Sequence, residues 1–173
     1  MPTYFSCDVE ADGQVPGINS MVCFGAIIVE PSLTKTFYGQ TKPISKMWVP
    51  EALAISGFTR KEHEKFEDPA KTMMEFFDWV KINSKGNPIF ITDNPAFDFA
   101  YMNYYFHVYC GSNPFGYSAR RIGDLFCGFY NDMYYKWKRH RVTHHNHNPV
   151  ADSMGNAEAL LYLQSQGLKI KLV

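Results

Sequence analysis

The sequence predicts an α/β fold in which a mixed β-sheet is flanked by α-helices. Two observations carry this. Strand-like runs fill the first quarter of the chain, and later stretches with helical spacing alternate with one more short apolar run. Strands first, then helices mixed with a strand, is the order expected of a sheet covered by helices. No internal repeat or low-complexity tract interrupts the pattern.

Thr3 to Glu10 alternates as an opening strand, and Met21 to Val29 is an apolar run that reads as a second. The Gly/Pro-bearing loop Ala11 to Asn19 separates them. Phe37 to Pro43 is a candidate third strand, and the three would form an antiparallel meander. Asp68-Pro69 supplies an N-cap and an N1 proline, and Met73, Phe76, Phe77 and Val80 continue with helical spacing until Gly86. Pro88 to Thr92 is a short buried strand. Asn94-Pro95 opens a helix through about Tyr109, with Phe97, Tyr101, Tyr104 and Tyr105 on one side. Gly111 to Gly116 is a loop and Arg121 to Tyr135 is expected to be helical, whereas Lys136 to Asn148, basic and histidine-rich, gives no assignment. A last helix runs from about Ala151 to Gln166, stopped by Gly167, and Leu168 to Val173 is expected to add an edge strand.

A chain of 173 residues has room for one domain with a substantial core, spanning 1–173, but not for two ordinary ones. With 46% hydrophobic and 20% charged residues it is an ordered globular chain rather than a disordered one. The formal net charge is zero, so any polyanion must be met by a local patch or by bound cations. Cys7, Cys23, Cys110 and Cys127 are widely spaced without a C-x-x-C pair, and no basic segment followed by an apolar run opens the chain. These features predict reduced cysteines in a soluble, cytoplasmic protein. No apolar run approaches the length of a bilayer span.

Five residues carry the candidate chemistry. Alternation along the first strand puts Asp8 and Glu10 on one face, with Cα atoms roughly 6 to 7 Å apart. Acids in an early, otherwise apolar strand are costly unless a cation compensates them. Solvated surface carboxylates are the ordinary alternative. Asp98 follows the strand Pro88 to Thr92 and sits in the first turn of a helix, where the helix dipole alone would also favour a carboxylate. His147 and Asp152 form an H-x4-D pair at the entrance to the last helix, with His147 on the preceding loop. Each is unremarkable alone. Their order, each at a strand end or helix start, makes them a set.

Asp8-Val9-Glu10, Asn94-Pro95-Ala96-Phe97-Asp98 and His147-Asn148-Pro149-Val150-Ala151-Asp152 resemble the three exonuclease motifs of the DEDDh exonucleases, and Ile55-Ser56-Gly57-Phe58-Thr59 resembles the short G-[IF]-[ST] signature between the first two. The likeness runs from Asp8 to about Leu163. It implies a ribonuclease H-like fold, with parallel strands beside the meander, and metal-dependent 3′-to-5′ exonuclease activity releasing nucleoside 5′-monophosphates. Asp93, where many relatives carry histidine, and the loop Ala11 to Asn19, which lacks the usual Thr-Gly continuation, depart from the pattern and bear on substrate choice.

The resemblance implies two Mg²⁺ or Mn²⁺ ions about 4 Å apart, matched to hard oxygen ligands. Asp8 would bridge both, Glu10 and Asp152 would bind the ion that carries the attacking water, and Asp98 would hold the other through water. His147 would be the general base. Ile18, Asn19, Ser20 and Met21 would hold the terminal base, and Asn94 and Phe97 would position the 3′-terminal nucleotide. A core role for Phe97 and a capping role for Asn94 are the alternatives. The expected partner is the 3′ end of single-stranded RNA or DNA, with small size leaning towards short RNA, and the resemblance also allows a homodimer. Lys136, Lys138, Arg139 and Arg141, with Trp137 among them, either grip phosphates and stack a base or form a solvated charge run. His140 and His144, at i and i+4, could bind Zn²⁺ if helical. Two rival readings follow, a catalytically silent nucleic-acid-binding or adaptor module on the same fold and a histidine-rich zinc protein.

Overall fold

The computed structural model describes residues 1–170 and 172. Its sheet has five strands, β1 (Thr3–Ala11), β2 (Met21–Ile28), β3 (Thr36–Gln40), β4 (Pro88–Thr92) and β5 (Ala119–Arg121), in the order β3-β2-β1-β4-β5. The first three form the expected antiparallel meander, while β4 and β5 run parallel to β1. Helices α1 (Pro50–Ile55), α2 (Arg60–His63), α3 (Pro69–Asn83), α4 (Asp98–Cys110), α5 (Ile122–Tyr130) and α6 (Pro149–Ser165) surround it.

Alternation along the central strand β1 sorts its side chains. Phe5, Cys7, Val9 and Ala11 enter a core with Met73, Phe76 and Val80 of α3 and with Tyr101, Tyr105 and Phe106 of α4. A second core joins Ile27 and Ile91 to Ile122 and Phe126 of α5 and Leu160 and Leu163 of α6. Ser6, Asp8 and Glu10 belong to the face that α6 covers, where Ser6 Oγ donates to the Ser153 carbonyl at 2.8 Å and Ser153 Oγ to the Gly25 carbonyl at 3.1 Å.

Gly25 sets how closely α6 can approach. It lies opposite Asp8 in the β1–β2 ladder, so the two residues share a face. A Cβ built on it would fall 2.4 Å from the Pro149 carbonyl carbon. The first turn of α6 therefore rests on bare β2 backbone beside Asp8.

Several sequence expectations change. Arg121 to Tyr135 is not one helix: Ala119 pairs with Phe90 and Arg121 with Thr92, α5 begins only at Ile122, and Asn131 ends it in the left-handed region at φ 52°. The chain then folds back so that the Tyr130 and Tyr135 rings stack at 4.2 Å, and Trp137–His140 forms a 3-10 turn. Helices α1 and α2 are too short to show an apolar period; only the proline opening α1 and the Thr59–Glu62 capping box of α2 mark them. The third strand stops at Gln40 rather than Pro43. Leu168–Ile170 and Leu172 are not strand, and Lys171 and Val173, the rest of the expected edge strand, lie outside the described residues.

Gly25→Ala is expected to lower stability by about 2 kcal/mol, against the small gain that Gly→Ala gives at an open site. Thermal unfolding should show this as a fall in Tm of roughly 4 to 8 °C. An unchanged or higher Tm would mean that α6 does not rest on this strand.

Candidate active site

One carboxylate oxygen each from Asp8, Glu10 and Asp152 lies within 4.8 Å of the others. Asp8 and Glu10 come from the α6-facing side of β1, and Asp152 comes from the first turn of α6 itself. That turn is fixed by Asn148, whose Oδ1 accepts from Val150 N and Ala151 N at 3.1 Å, and by Pro149 at its opening. Asp152 is 1% exposed, yet its Oδ2 has no hydrogen-bond partner among the described residues. Its Oδ1 is crowded, accepting from the Arg141 guanidinium at 3.2 Å and from Asn146 N at 3.3 Å, with His145 Nδ1 at 2.8 Å.

Asp98 is placed differently. Its Oδ1 accepts from Val9 N at 3.1 Å, and its Oδ2 from Thr92 Oγ1 and from Asn94 N at 3.3 Å. It thus ties the strand carrying Asp8 to the end of β4 and the start of α4. The expected Asn94 cap is not formed: α4 starts at Asp98 after Phe97, with no side-chain cap, and Asn94 to Phe97 make a preceding turn in which the Asn94 carbonyl accepts from Phe97 N and Asp98 N.

His147 sits on the loop before α6 with φ 60°, half-exposed, its Nδ1 3.5 Å from Glu10 Oε1. His145 is equally exposed, and the two rings meet edge to face with centroids 4.3 Å apart. His140 does not join His144. It is the last residue of the 3-10 turn, its ring stacked on Tyr162 at 3.9 Å and its Nε2 2.9 Å from the Tyr135 hydroxyl, so the helical i, i+4 zinc pair does not exist. Of the basic tract, Lys138 pairs with Asp93 at 2.6 Å, and Trp137 is buried in the second core.

Beside the carboxylates opens a pocket of about 440 Å³, bounded by Glu10 and Gly13 on one side, Ala52 and Ile55 on another, and Asn94 and Phe97 on a third. Phe97 lines this pocket and also packs against the main core, its ring 5.1 Å from Tyr101. The loop Ile18 to Met21 does not line this pocket. Asn19, Ser20 and Met21 are buried: Asn19 Oδ1 accepts from Val15 N, Ser20 Oγ accepts from Ile44 N, and Met21 lies in the core, leaving Ile18 half-exposed.

Three supporting residues escape a motif search. Asp12, fully buried, accepts from Arg60 Nη1 at 2.8 Å, and Arg60 Nη2 reaches the Ser45 carbonyl at 2.8 Å, which fastens the α1–α2 wall to the end of β1. Arg141 is 5% exposed and also donates to the Asp152 main-chain carbonyl at 2.8 Å. Its trace in the sequence is Gly155, in mid-helix, where a Cβ would lie 2.3 Å from Arg141 Nε.

Burial pushes the Asp8 carboxyl well above the usual range, helped by Asp98, Asp152 and Glu10 and opposed by Arg141. Glu10 is pushed up to about 7 by burial and then by Asp152. Asp98 is pushed up to about 7 by burial, against the hydrogen bonds from Thr92, Val9 and Asn94. The oxygen-only donors, the unpartnered Asp152 Oδ2 and the mutual repulsion fit a hard divalent cation. With folded-state pKa values above the unfolded ones near 4, the folded protein without a divalent ion holds more protons, so its stability falls as pH rises from about 4 to about 7. Chelated protein should therefore melt at lower temperature at pH 8 than at pH 5.5, and Mg²⁺ or Mn²⁺ should recover the loss at pH 8. Calorimetry in both buffers checks this; a chelated Tm that rises with pH over this window would contradict it.

No family model matches the chain. A curated relative from Escherichia coli, the 3′-5′ DNA exonuclease Cap18, is 32% identical over 180 residues, spanning 98% of this chain and 95% of that protein. Among solved structures, the nuclease domain of 3′hExo, described as a DEDDh family member bound to rAMP, superposes with a TM-score of 0.74 at 13% identity, covering 98% of this chain and 96% of that one. E. coli Exonuclease I in complex with a dA16 oligonucleotide superposes with a TM-score of 0.71 at 17% identity, where this chain spans 95% of itself and 41% of that longer protein. The shared fold and the identity along nearly the whole chain place it in the DEDDh superfamily of 3′-5′ exonucleases, hydrolases of phosphodiester bonds.

Proposed function

We propose that the chain removes nucleotides one at a time from the 3′ end of single-stranded DNA, using two divalent cations held by Asp8, Glu10, Asp98 and Asp152. The meeting of the Asp8, Glu10 and Asp152 carboxylates, with the buried Asp152 Oδ2 left unpartnered among the described residues, supports this most directly. Two such cations, when bound, supply charge neutralisation at the scissile phosphate and acidify a water. Asp8, Glu10 and Asp152 have oxygens free to bind an ion directly. Asp98, whose oxygens already accept three hydrogen bonds, is suited to hold its ion through water.

His147 is the general base in this reading. Its loop position lets the imidazole turn over the carboxylates, and half exposure gives the accepted proton a route to solvent. Ile55 and Phe97 are the apolar faces against which a terminal base can stack, and Asn94 offers polar atoms at the same pocket. The 2′ position separates DNA from RNA. The DNA activity in the name of the curated relative favours DNA over the short RNA suggested by chain length.

The test uses matched DNA and RNA oligonucleotides of several lengths, labelled at either end, with Mn²⁺. The expected outcome is stepwise shortening from the 3′ end with mononucleotide release, faster on DNA, and a fall of about a thousandfold or more in Asp8→Asn, equivalent to about 4 kcal/mol of barrier. Mononucleotide release from the 5′ end, or full activity in Asp8→Asn, would overturn the proposal.

A further inference from the structure

We propose that the loop before α6 carries a second, nitrogen-rich metal site, formed by His145, His147 and Asp152, that takes Zn²⁺ and switches the nuclease off. One ligand atom of each of these residues lies within 4.8 Å of the other two. His145 Nδ1 is already 2.8 Å from Asp152 Oδ1, and the two imidazoles meet edge to face with centroids 4.3 Å apart. Donors around a tetrahedral zinc with bonds of about 2.0 to 2.2 Å lie roughly 3.3 Å apart. Both rings are half-exposed on an irregular loop, so side-chain rotation is the movement that would close this gap. Asp152 is 1% exposed and its Oδ2 has no partner among the described residues, so the carboxylate beside both rings is buried and only partly compensated.

Ligand chemistry sorts the two sites. Mg²⁺ keeps to oxygen donors and Mn²⁺ binds nitrogen weakly, whereas Zn²⁺ binds imidazole far more tightly than either. Hard ions therefore settle among Asp8, Glu10 and Asp152, and zinc settles one step outwards, on the histidine side of the shared Asp152. Both sites use Asp152, so occupancy of one weakens the other. Zinc held by His147 also removes the imidazole proposed as the base. Binding follows from the geometry alone, while the loss of activity rests on the role proposed for His147.

The experiment has two readouts on the full chain. Co²⁺, as a spectroscopic substitute for Zn²⁺, is titrated in the presence of excess Mg²⁺, and Zn²⁺ is then titrated against Mn²⁺-supported hydrolysis. Wild type should show the visible absorption of tetrahedral Co²⁺, displaced by one equivalent of Zn²⁺, and inhibition over the same concentration range. His145→Asn, which keeps a hydrogen-bond donor for Asp152, should weaken both at least tenfold relative to its own uninhibited rate. His144→Ala, altered beside the cluster, should behave as wild type. Equal zinc affinity in His145→Asn and wild type, or loss of affinity only in His144→Ala, would overturn the site. Zinc binding as expected without inhibition would overturn the switch and not the site. A chain that never hydrolyses DNA or RNA would instead overturn the nuclease reading while leaving the Co²⁺ spectrum as its own test.

Discussion

Like charges held close together in a largely buried setting are the constraint around which this chain is arranged. Asp8, Glu10 and Asp152 converge, and Asp98 stands near enough to raise the Asp8 pKa further. Such a cluster is unfavourable unless something compensates it. The protein compensates in part by itself. Asp98 is held by two main-chain amides and the Thr92 hydroxyl, and Arg141 places a buried guanidinium behind Asp152. What remains uncompensated is marked by Asp152 Oδ2, which has no partner among the described residues, and that remainder is the part a divalent cation can satisfy.

The scaffold serves this placement through backbone contacts more than through bulk. β1 supplies two acids from one face while its other face anchors the main core. Gly25, opposite Asp8, lets α6 lie directly on β2, and the Ser6 and Ser153 hydroxyls stitch helix to sheet. The pocket wall is fastened separately. Arg60 joins Asp12 to the Ser45 carbonyl and lies over the Trp48 ring at 5.5 Å, while Val49 N donates to the Asp12 carbonyl at 2.7 Å. The segment Ile55 to Phe58 is thereby held between the pocket and the groove leading to His147.

Much of this was legible in the order of residues. Strict alternation in Thr3 to Glu10 showed that Asp8 and Glu10 share a face, and Asp68-Pro69 marked a helix start that the structure keeps. The rest is hidden in the sequence for physical reasons. A three-residue strand such as Ala119–Arg121 has no period to detect, and it forms because β4 offers it a free parallel edge. The four-residue helix α2 is held by its capping box and by the Arg60–Asp12 pair, neither of which shows as hydrophobic spacing. Likeness alone assigns Ile18 to Met21 to the terminal base, and in this chain its polar groups are spent on Asp12, Val15 and Ile44. Arg141 was hidden in a basic tract where most cations are solvated. Only its fit against Gly155 singles it out.

In the function proposed above, the carboxylate cluster holds two divalent cations that share Asp8. Counting Mn²⁺ by calorimetry, in the presence of a nucleoside 5′-monophosphate, tests it most directly. Two Mn²⁺ per chain are expected in the wild type, one in Asp98→Asn, and none in Asp8→Asn with the fold intact by circular dichroism. Two Mn²⁺ bound as tightly to Asp8→Asn as to the wild type would contradict it.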